Sequence, residues 1–290
     1  MTGGDKPSAV PAPLGSWRRL LRRGARKFLP RTWLSAPGLG HLLRLQRSGA
    51  HVIDWVGDLR VEYSLDSLIG QLLYLHGGFE EAEARFIENR LRDRTGAVFL
   101  DVGANIGLHS LRAARLPGVS RVFAFEPARS TFAMLERNIA QNNLAEKIHS
   151  CPLAVSSRAG TAVFHFCADD AYSSLKPDNR RPVQQTYDVS VSSLDEWCAA
   201  NAIDRVDLIK IDVEGSEADV IAGAEAVLAR YRPELVVEII QGNRSNFSAV
   251  RLVEKICSLG YEAFMLVDGI PVPFERHDDA HINYHFVPRR

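Results

Sequence analysis

From Ala97 onward the chain alternates short apolar runs with longer amphipathic stretches. The run 97–102, AVFLDV, is apolar almost throughout and predicts a strand covered on both faces. A helix follows near 106–116. Strand 121–126 then leads to helix 128–142, with Phe132, Leu135 and Ile139 inward, and strand 147–153 comes next. Two β-rich stretches, TAVFHFCA and QTYDVSVSSL, interrupt the alternation. Ser193-Leu-Asp-Glu196 matches a capping box and opens a short helix. Strand 206–213 leads to helix 216–229, and strand 234–240 to helix 248–259. YEAFMLV and HINYHFV have no helix between them and predict an antiparallel hairpin at a sheet edge. Strands alternating with helices dictate an α/β, doubly wound fold with a mostly parallel sheet.

Ahead of this unit, HVIDWVGDLRVEYSL (51–65) predicts two short strands around Gly57-Asp58. FEEAEARFIENRLRD (79–93) predicts a helix whose stripe is Phe79, Ala82, Phe86, Ile87 and Leu91, ended at Thr95-Gly96. The chain therefore divides into an N-terminal extension (1–50), lead-in strands and helix (51–95), and a main domain (96–290).

Composition is that of a globular protein, with 46% hydrophobic and 24% charged residues among 290. No apolar run approaches the roughly 20 residues that cross a bilayer. Cys151, Cys167, Cys198 and Cys257 form no CxxC and read as reduced, packed thiols of a cytoplasmic protein. Net charge is zero, yet residues 1–47 hold ten Lys and Arg against the single acid Asp5. Within them, residues 16–31 (SWRRLLRRGARKFLPR) place Trp17, Leu20, Leu21, Phe28 and Leu29 at helical spacing with arginines between. Two readings stand: contact with the inner membrane surface or another polyanion, or a helix packed on its own domain or a partner subunit. No apolar h-region follows the arginines, so a secretory signal is not expected.

The first strong strand ends in Asp101-Val-Gly103-Ala104-Asn105-Ile-Gly107. Glycines at a strand–helix turn let backbone approach a ligand closely. A dinucleotide fingerprint would read GxGxxG, and here Ala104 and Asn105 fill the place of its second glycine. The acid ahead of the turn would repel a pyrophosphate and attract an ammonium group. Both facts point to a donor that is cationic and phosphate-free at this position, which S-adenosylmethionine is. Glu126 ends the second strand, where an acid suits a ribose diol. It supports a nucleoside without choosing one.

The stretches VFLDVGANIGLHSL, VFAFEPARSTFAMLERNIAQNN and VDLIKIDVEGSEADVIAGA resemble the FkbM family of S-adenosylmethionine-dependent methyltransferases, over roughly residues 79–240. The resemblance implies a Rossmann-like class I methyltransferase fold and methyl transfer to oxygen on a sugar, a glycan or a polyketide-type product. It also implies adenine contact near Ala154, which follows the third strand.

Strand side chains alternate, so Lys210, Asp212 and Glu214 would share one face of a central strand. Charges there must pair or face a cleft. Glu238 ends the next strand inside an apolar run. Asp212, Glu214 and Glu238 are the candidate catalytic carboxylates, each placed to take a proton from an acceptor hydroxyl. His109 is a further candidate. An alternative has Asp212 and Glu238 holding a divalent metal, but no spacing motif supports it and none is expected. The polar run 171–181, AYSSLKPDNRR, reads equally as an acceptor lid or a plain connection. Rival functions are a nucleic-acid methyltransferase and a non-catalytic donor-binding module. The acidic Asp212-Val-Glu-Gly opposes the first, since it would repel a phosphate backbone. The acceptor class and the oligomeric state are not written in the chain.

Overall fold

The computed structural model describes residues 49–167, 169–176, 182–240, 248–277 and 280–289. The basic stretch 16–31 and the second half of the 171–181 loop lie outside these residues. Strands β1 (Ala50–Asp54) and β2 (Arg60–Ser64) pair antiparallel about the expected turn, and helices α1 (Leu68–His76) and α2 (Glu81–Arg92) follow. The sequence reading has no counterpart to α1, because LIGQLLYLH is too continuously apolar to display a helical stripe. Next come β3 (Ala97–Val102), α3 (Leu108–Ala114), β4 (Val119–Phe125), α4 (Arg129–Gln141) and β5 (Ile148–Cys151), in the expected alternation. β6 (Ala154–Val155), β7 (Gly160–Cys167) and β8 (Val183–Ser192) form a separate sheet in the order β6-β8-β7.

Helix α5 (Leu194–Ala200) opens on the anticipated capping box. The Glu196 N–H donates to Ser193 Oγ at 3.1 Å, and the Ser193 N–H donates back to the Glu196 carboxylate at 3.4 Å. β9 (Leu208–Ile211) leads to α6 (Glu217–Ala222) and α7 (Glu225–Tyr231), two helices where one was expected. The break falls at Gly223, whose Cβ position lies 2.2 Å from the Ser156 carbonyl oxygen, so neighbouring backbone crosses where a side chain would stand. β10 (Glu234–Glu238), α8 (Ala249–Ser258), β11 (Tyr261–Val267), β12 (Ile270–Pro273) and β13 (Asn283–Pro288) complete the chain. The closing hairpin differs from expectation. β11 turns into β12, whose two prolines disguise it as loop, and β13 returns between β10 and β11.

The main sheet runs β12-β11-β13-β10-β9-β3-β4-β5. β3, β4, β5, β9 and β10 are parallel, and β13 is antiparallel to both its neighbours. Side chains of β3 alternate between two cores. Ala97 and Phe99 join α2, α3, α4 and the β1–β2 hairpin, while Val98, Leu100 and Val102 join α5 to α8. No helix among the described residues is long and apolar enough to cross a membrane.

A cluster of charges at the amino end of the sheet fixes α2. Glu234, at the start of β10, accepts from Arg90 Nε and Nη2, both at 2.6 Å, and from Arg94 Nη2 at 2.5 Å. His285 of β13 lies 2.8 Å from the same carboxylate. Burial alone would raise the Glu234 pKa, but the His285 and Arg90 hydrogen bonds overcome it and hold the group at about 2. The unfolded value is near 4.5, so this stabilisation is fully present above that pH and is lost as pH falls toward 2. Glu234→Gln should lower stability by about 2 kcal/mol, a figure reduced because Arg90 is 42% exposed. Urea midpoints should then lose much of their pH dependence between 4.5 and 2. An unchanged midpoint at neutral pH would show that the cluster does not anchor α2.

Candidate active site

After β3 the chain passes first to β4 on one side and later to β9 on the other, so strand order reverses between β3 and β9. Ligands of doubly wound sheets bind at such a reversal, beyond the carboxyl ends of the strands. A cavity of about 300 Å³ opens there.

Its nucleoside side is built from the glycine turn. Gly103 has φ +84°, and a Cβ on it would lie 1.7 Å from the Asp212 carbonyl oxygen, so only glycine lets the two strand ends meet. Asn105 also sits in the left-handed region (φ +49°), and its side-chain oxygen accepts the Ile106 N–H at 2.8 Å. Glu126, at the end of β4, accepts the Asn105 N–H at 2.9 Å and the Ala128 N–H at 2.8 Å, one on each oxygen. A carboxylate can accept from several donors at once, which suits the hydroxyls of a ribose. Gly103, Ala104, Asn105, Glu126 and Ala154 all line the cavity.

Two expected donor contacts lie elsewhere. Asp101 is buried beneath the turn, where Ser110 Oγ donates to it at 2.6 Å, and it does not reach the cavity lining. Gly107 faces α4; a Cβ there would meet Leu135 at 2.5 Å, so its glycine serves helix packing.

Asp212, Glu214 and Glu238 are brought together, each offering a carboxylate oxygen within 4.8 Å of the others. β9 ends at Ile211, so strand alternation governs Lys210 and Asp212 only. Glu214 reaches the group through a left-handed turn (φ +56°). The Lys210 ammonium donates to Asp212 at 2.9 Å. Burial would raise the Asp212 pKa, but Lys210 outweighs it and holds the carboxyl below its usual range. Glu238 is pushed the other way, by burial first and then by the Asp212 charge. The two carboxyl groups lie within 4.8 Å of each other, close enough for each to feel the other's charge directly. Such a set of oxygens suits a shared proton and would also suit a hard divalent cation.

Glu80 and Glu83 are absent from the sequence reading. Glu80 lines the cavity from the turn before α2, at φ +43°, and lies 3.1 Å from His109 Nε2. Burial pulls the His109 imidazole down, but the Glu80 hydrogen bond outweighs it and leaves it above its ordinary range. Glu83 lies below the lining, buried on α2. One signal exists in the sequence: Glu83 precedes Phe86 and Ile87 by three and four positions, so it falls on the inward stripe. Much of the remaining wall is apolar, from Leu68 and Ile69 of α1, Phe79, Phe164 of β7, and Ala171 and Leu175 of the polar loop, whose Tyr172, Ser173 and Ser174 also line it. That loop is tied down by the Leu68 N–H, which donates to Asp169 at 2.9 Å, and by the His165–Ser174 bridge.

The Methyltransferase FkbM domain profile matches residues 101–263. The chain belongs to the FkbM methyltransferase family. Curated relatives include 2-O-methyltransferase NoeI of Sinorhizobium fredii, 29% identical over 156 residues that cover 49% of this chain and 63% of that protein. Another is 31-O-demethyl-FK506 methyltransferase FkbM of Streptomyces tacrolimicus, 33% identical over 169 residues, covering 48% of this chain and 64% of that one. This chain thus spans less than two thirds of the length of either. A crystal structure of Methyltransferase FkbM from Methylobacillus flagellatus superposes with a TM-score of 0.45 at 18% identity, over 69% of this chain and 47% of that one. The FkbM profile begins at the acid of the glycine turn, so α1, α2 and the cavity wall they supply lie ahead of it.

Gly103→Ala should destabilise the protein by at least about 3 kcal/mol, through both the left-handed backbone and the overlap with Asp212. Thermal unfolding checks this, and a melting temperature within a degree or two of the parent would show that the strand ends do not meet as described.

Proposed function

We propose that this FkbM-family chain is an S-adenosylmethionine-dependent O-methyltransferase acting on a hydroxyl of a sugar, glycan or polyketide-type product. The observation that carries this reading is the pairing of Asp212 and Glu238 at the strand ends, beside a nucleoside-sized cavity that holds Glu126. The donor fits the residues present. Carboxylates outnumber bases on the lining, which suits a cation, and Glu126 on that lining is the type of group that accepts from ribose hydroxyls. When bound, it supplies an electrophilic methyl group on a sulfonium.

The protein's own work is to hold the acceptor hydroxyl in line and remove its proton. Orientation of this kind is worth roughly 7–11 kcal/mol. Glu238 is the better base of the pair, because burial and the neighbouring Asp212 charge raise its proton affinity. Asp212, kept ionised by Lys210, holds the hydroxyl and stabilises the proton once Glu238 has it. Glu214 adds negative charge beside both. Apolar Leu68, Phe79, Phe164 and Leu175 would cover the carbon skeleton of the acceptor and exclude water. The relatives' names, a 2-O-methyltransferase and a 31-O-demethyl-FK506 methyltransferase, support hydroxyl acceptors of these classes. The acidic mouth opposes a nucleic-acid backbone.

The test is methyl transfer from radiolabelled S-adenosylmethionine to a panel of methyl glycosides and macrolactone alcohols. Transfer to at least one class is expected, and donor binding with no transfer to any of them would favour a non-catalytic module. On an active acceptor, Glu238→Gln should cut turnover about a hundredfold with donor affinity within about threefold. The parent rate should rise with pH as Glu238 ionises, because its proton affinity is raised in the folded state. Full activity in Glu238→Gln would remove it from the base role.

A further inference from the structure

Two groups of acids, Glu80 with Glu83 and Asp212 with Glu214 and Glu238, are joined by a buried series of charges. Glu80 lies 3.1 Å from His109 Nε2, which lies 3.8 Å from Glu83. Glu83 lies 3.8 Å from the Lys210 ammonium, which donates to Asp212 at 2.9 Å, and a carboxylate oxygen of Asp212 lies within 4.8 Å of one of Glu238. Signs alternate from Glu80 to Asp212, and Glu238 adds a second acid at the end. Five of its six members line the cavity, and Glu83, the middle acid, does not.

Glu83 is 4% exposed, and neither of its oxygens has a hydrogen-bond partner among the described residues. A carboxylate so placed is costly to bury unless charge holds it there. Its two neighbours at 3.8 Å are both bases, so it is held electrostatically rather than by a close contact. Lys210 thus stands among four acids: Asp212 just past β9, Glu83 of α2, Glu80 ahead of it, and Asp101, its neighbour on β3. α2 itself is pinned at its far end, where Arg90 stands two helical turns from Glu83 on the same stripe and grips Glu234. Glu80, Glu83 and His109 also bring three ligand-type atoms within 4.8 Å, but the Lys210 ammonium already supplies positive charge beside them.

We propose that Glu83 is a positioning residue for the transfer reaction: through the Lys210 ammonium it sets the place and basicity of the Asp212–Glu238 pair. A helix ahead of the family segment therefore completes the reacting end. This rests on the reading of that pair as the proton-handling group. Burial pushes the Glu83 carboxyl up to about 7; the Glu80 and Asp212 charges add to the rise, and Lys210 and His109 oppose it. The charged groups that act on Glu83 are Glu80, Lys210, His109 and Asp212, and Lys210 is faced in addition by Asp101 of β3.

The test uses the full chain and Glu83→Gln, which keeps the shape and deletes the charge, with Glu83→Asp as the variant that restores it. Carboxyl-carbon NMR titration of Asp212 and Glu238 reads the pair without any acceptor. Losing a neighbouring negative charge should move the upper titration of the pair down by about one pH unit, a tenfold change in proton affinity, in Glu83→Gln. Glu83→Asp should return it most of the way. On an active acceptor, the acid limb of the pH–rate profile should shift by the same amount, with KM for the donor within about twofold. If Glu83→Gln unfolds more easily but its pair titrates as in the parent, Glu83 is structural and the proposal falls. If the pair shifts while Glu238→Gln is fully active, the coupling stands as stated and only the base reading fails.

Discussion

Everything at the reacting end follows from one buried ammonium. Lys210 occupies the third position of a four-residue strand in the middle of an eight-stranded sheet, with its side chain 4% exposed. A charge there cannot be left to itself. Asp212 answers it two residues on, just past the strand's end, because extended side chains repeat with that period. Glu83 answers it from a helix that must be docked for the purpose. The docking explains why α2 carries arginines at its far end and why the β10 strand begins with an acid. Removing the lysine would leave five carboxylates crowding one cleft, and most would have to take up protons.

Backbone geometry imposes the second constraint. The β3 turn and the end of β9 touch at Gly103, backbone against backbone. That contact sets the height of the donor side of the cavity relative to Asp212. Three of the residues that shape the lining, Glu80, Asn105 and Glu214, have left-handed backbones without being glycine. Such conformations persist only where surrounding structure enforces them, and they cluster where side chains must be aimed.

Much of this was legible from residue order alone. Buried parallel strands are apolar runs, so β3, β4, β9 and β10 stand out, and their order follows from the alternation with helices. Asp212, Glu214 and Glu238 were legible because acids at the ends of buried strands have few other places to go. What could not be read was direction. Asp101 looks like its neighbours in the sequence, yet a serine nine residues later captures it below the turn. Gly107 looks like part of the ligand turn, yet it is small for Leu135. Glu83 was hidden because an acid on a helix is ordinarily solvated, and its inward partner lies 127 positions away in sequence (Lys210).

The outermost strand has a bearing on how copies of this chain can meet. β12 reads Ile270-Pro-Val-Pro273, and neither proline has an N–H to give. A sheet edge whose prolines offer no donor is a poor template for a foreign strand. Growth of the sheet from that side, whether into a continuous two-subunit sheet or into a fibril, is thereby discouraged by covalent structure alone. Ile270, 65% exposed, can remain on the surface there without inviting strand addition.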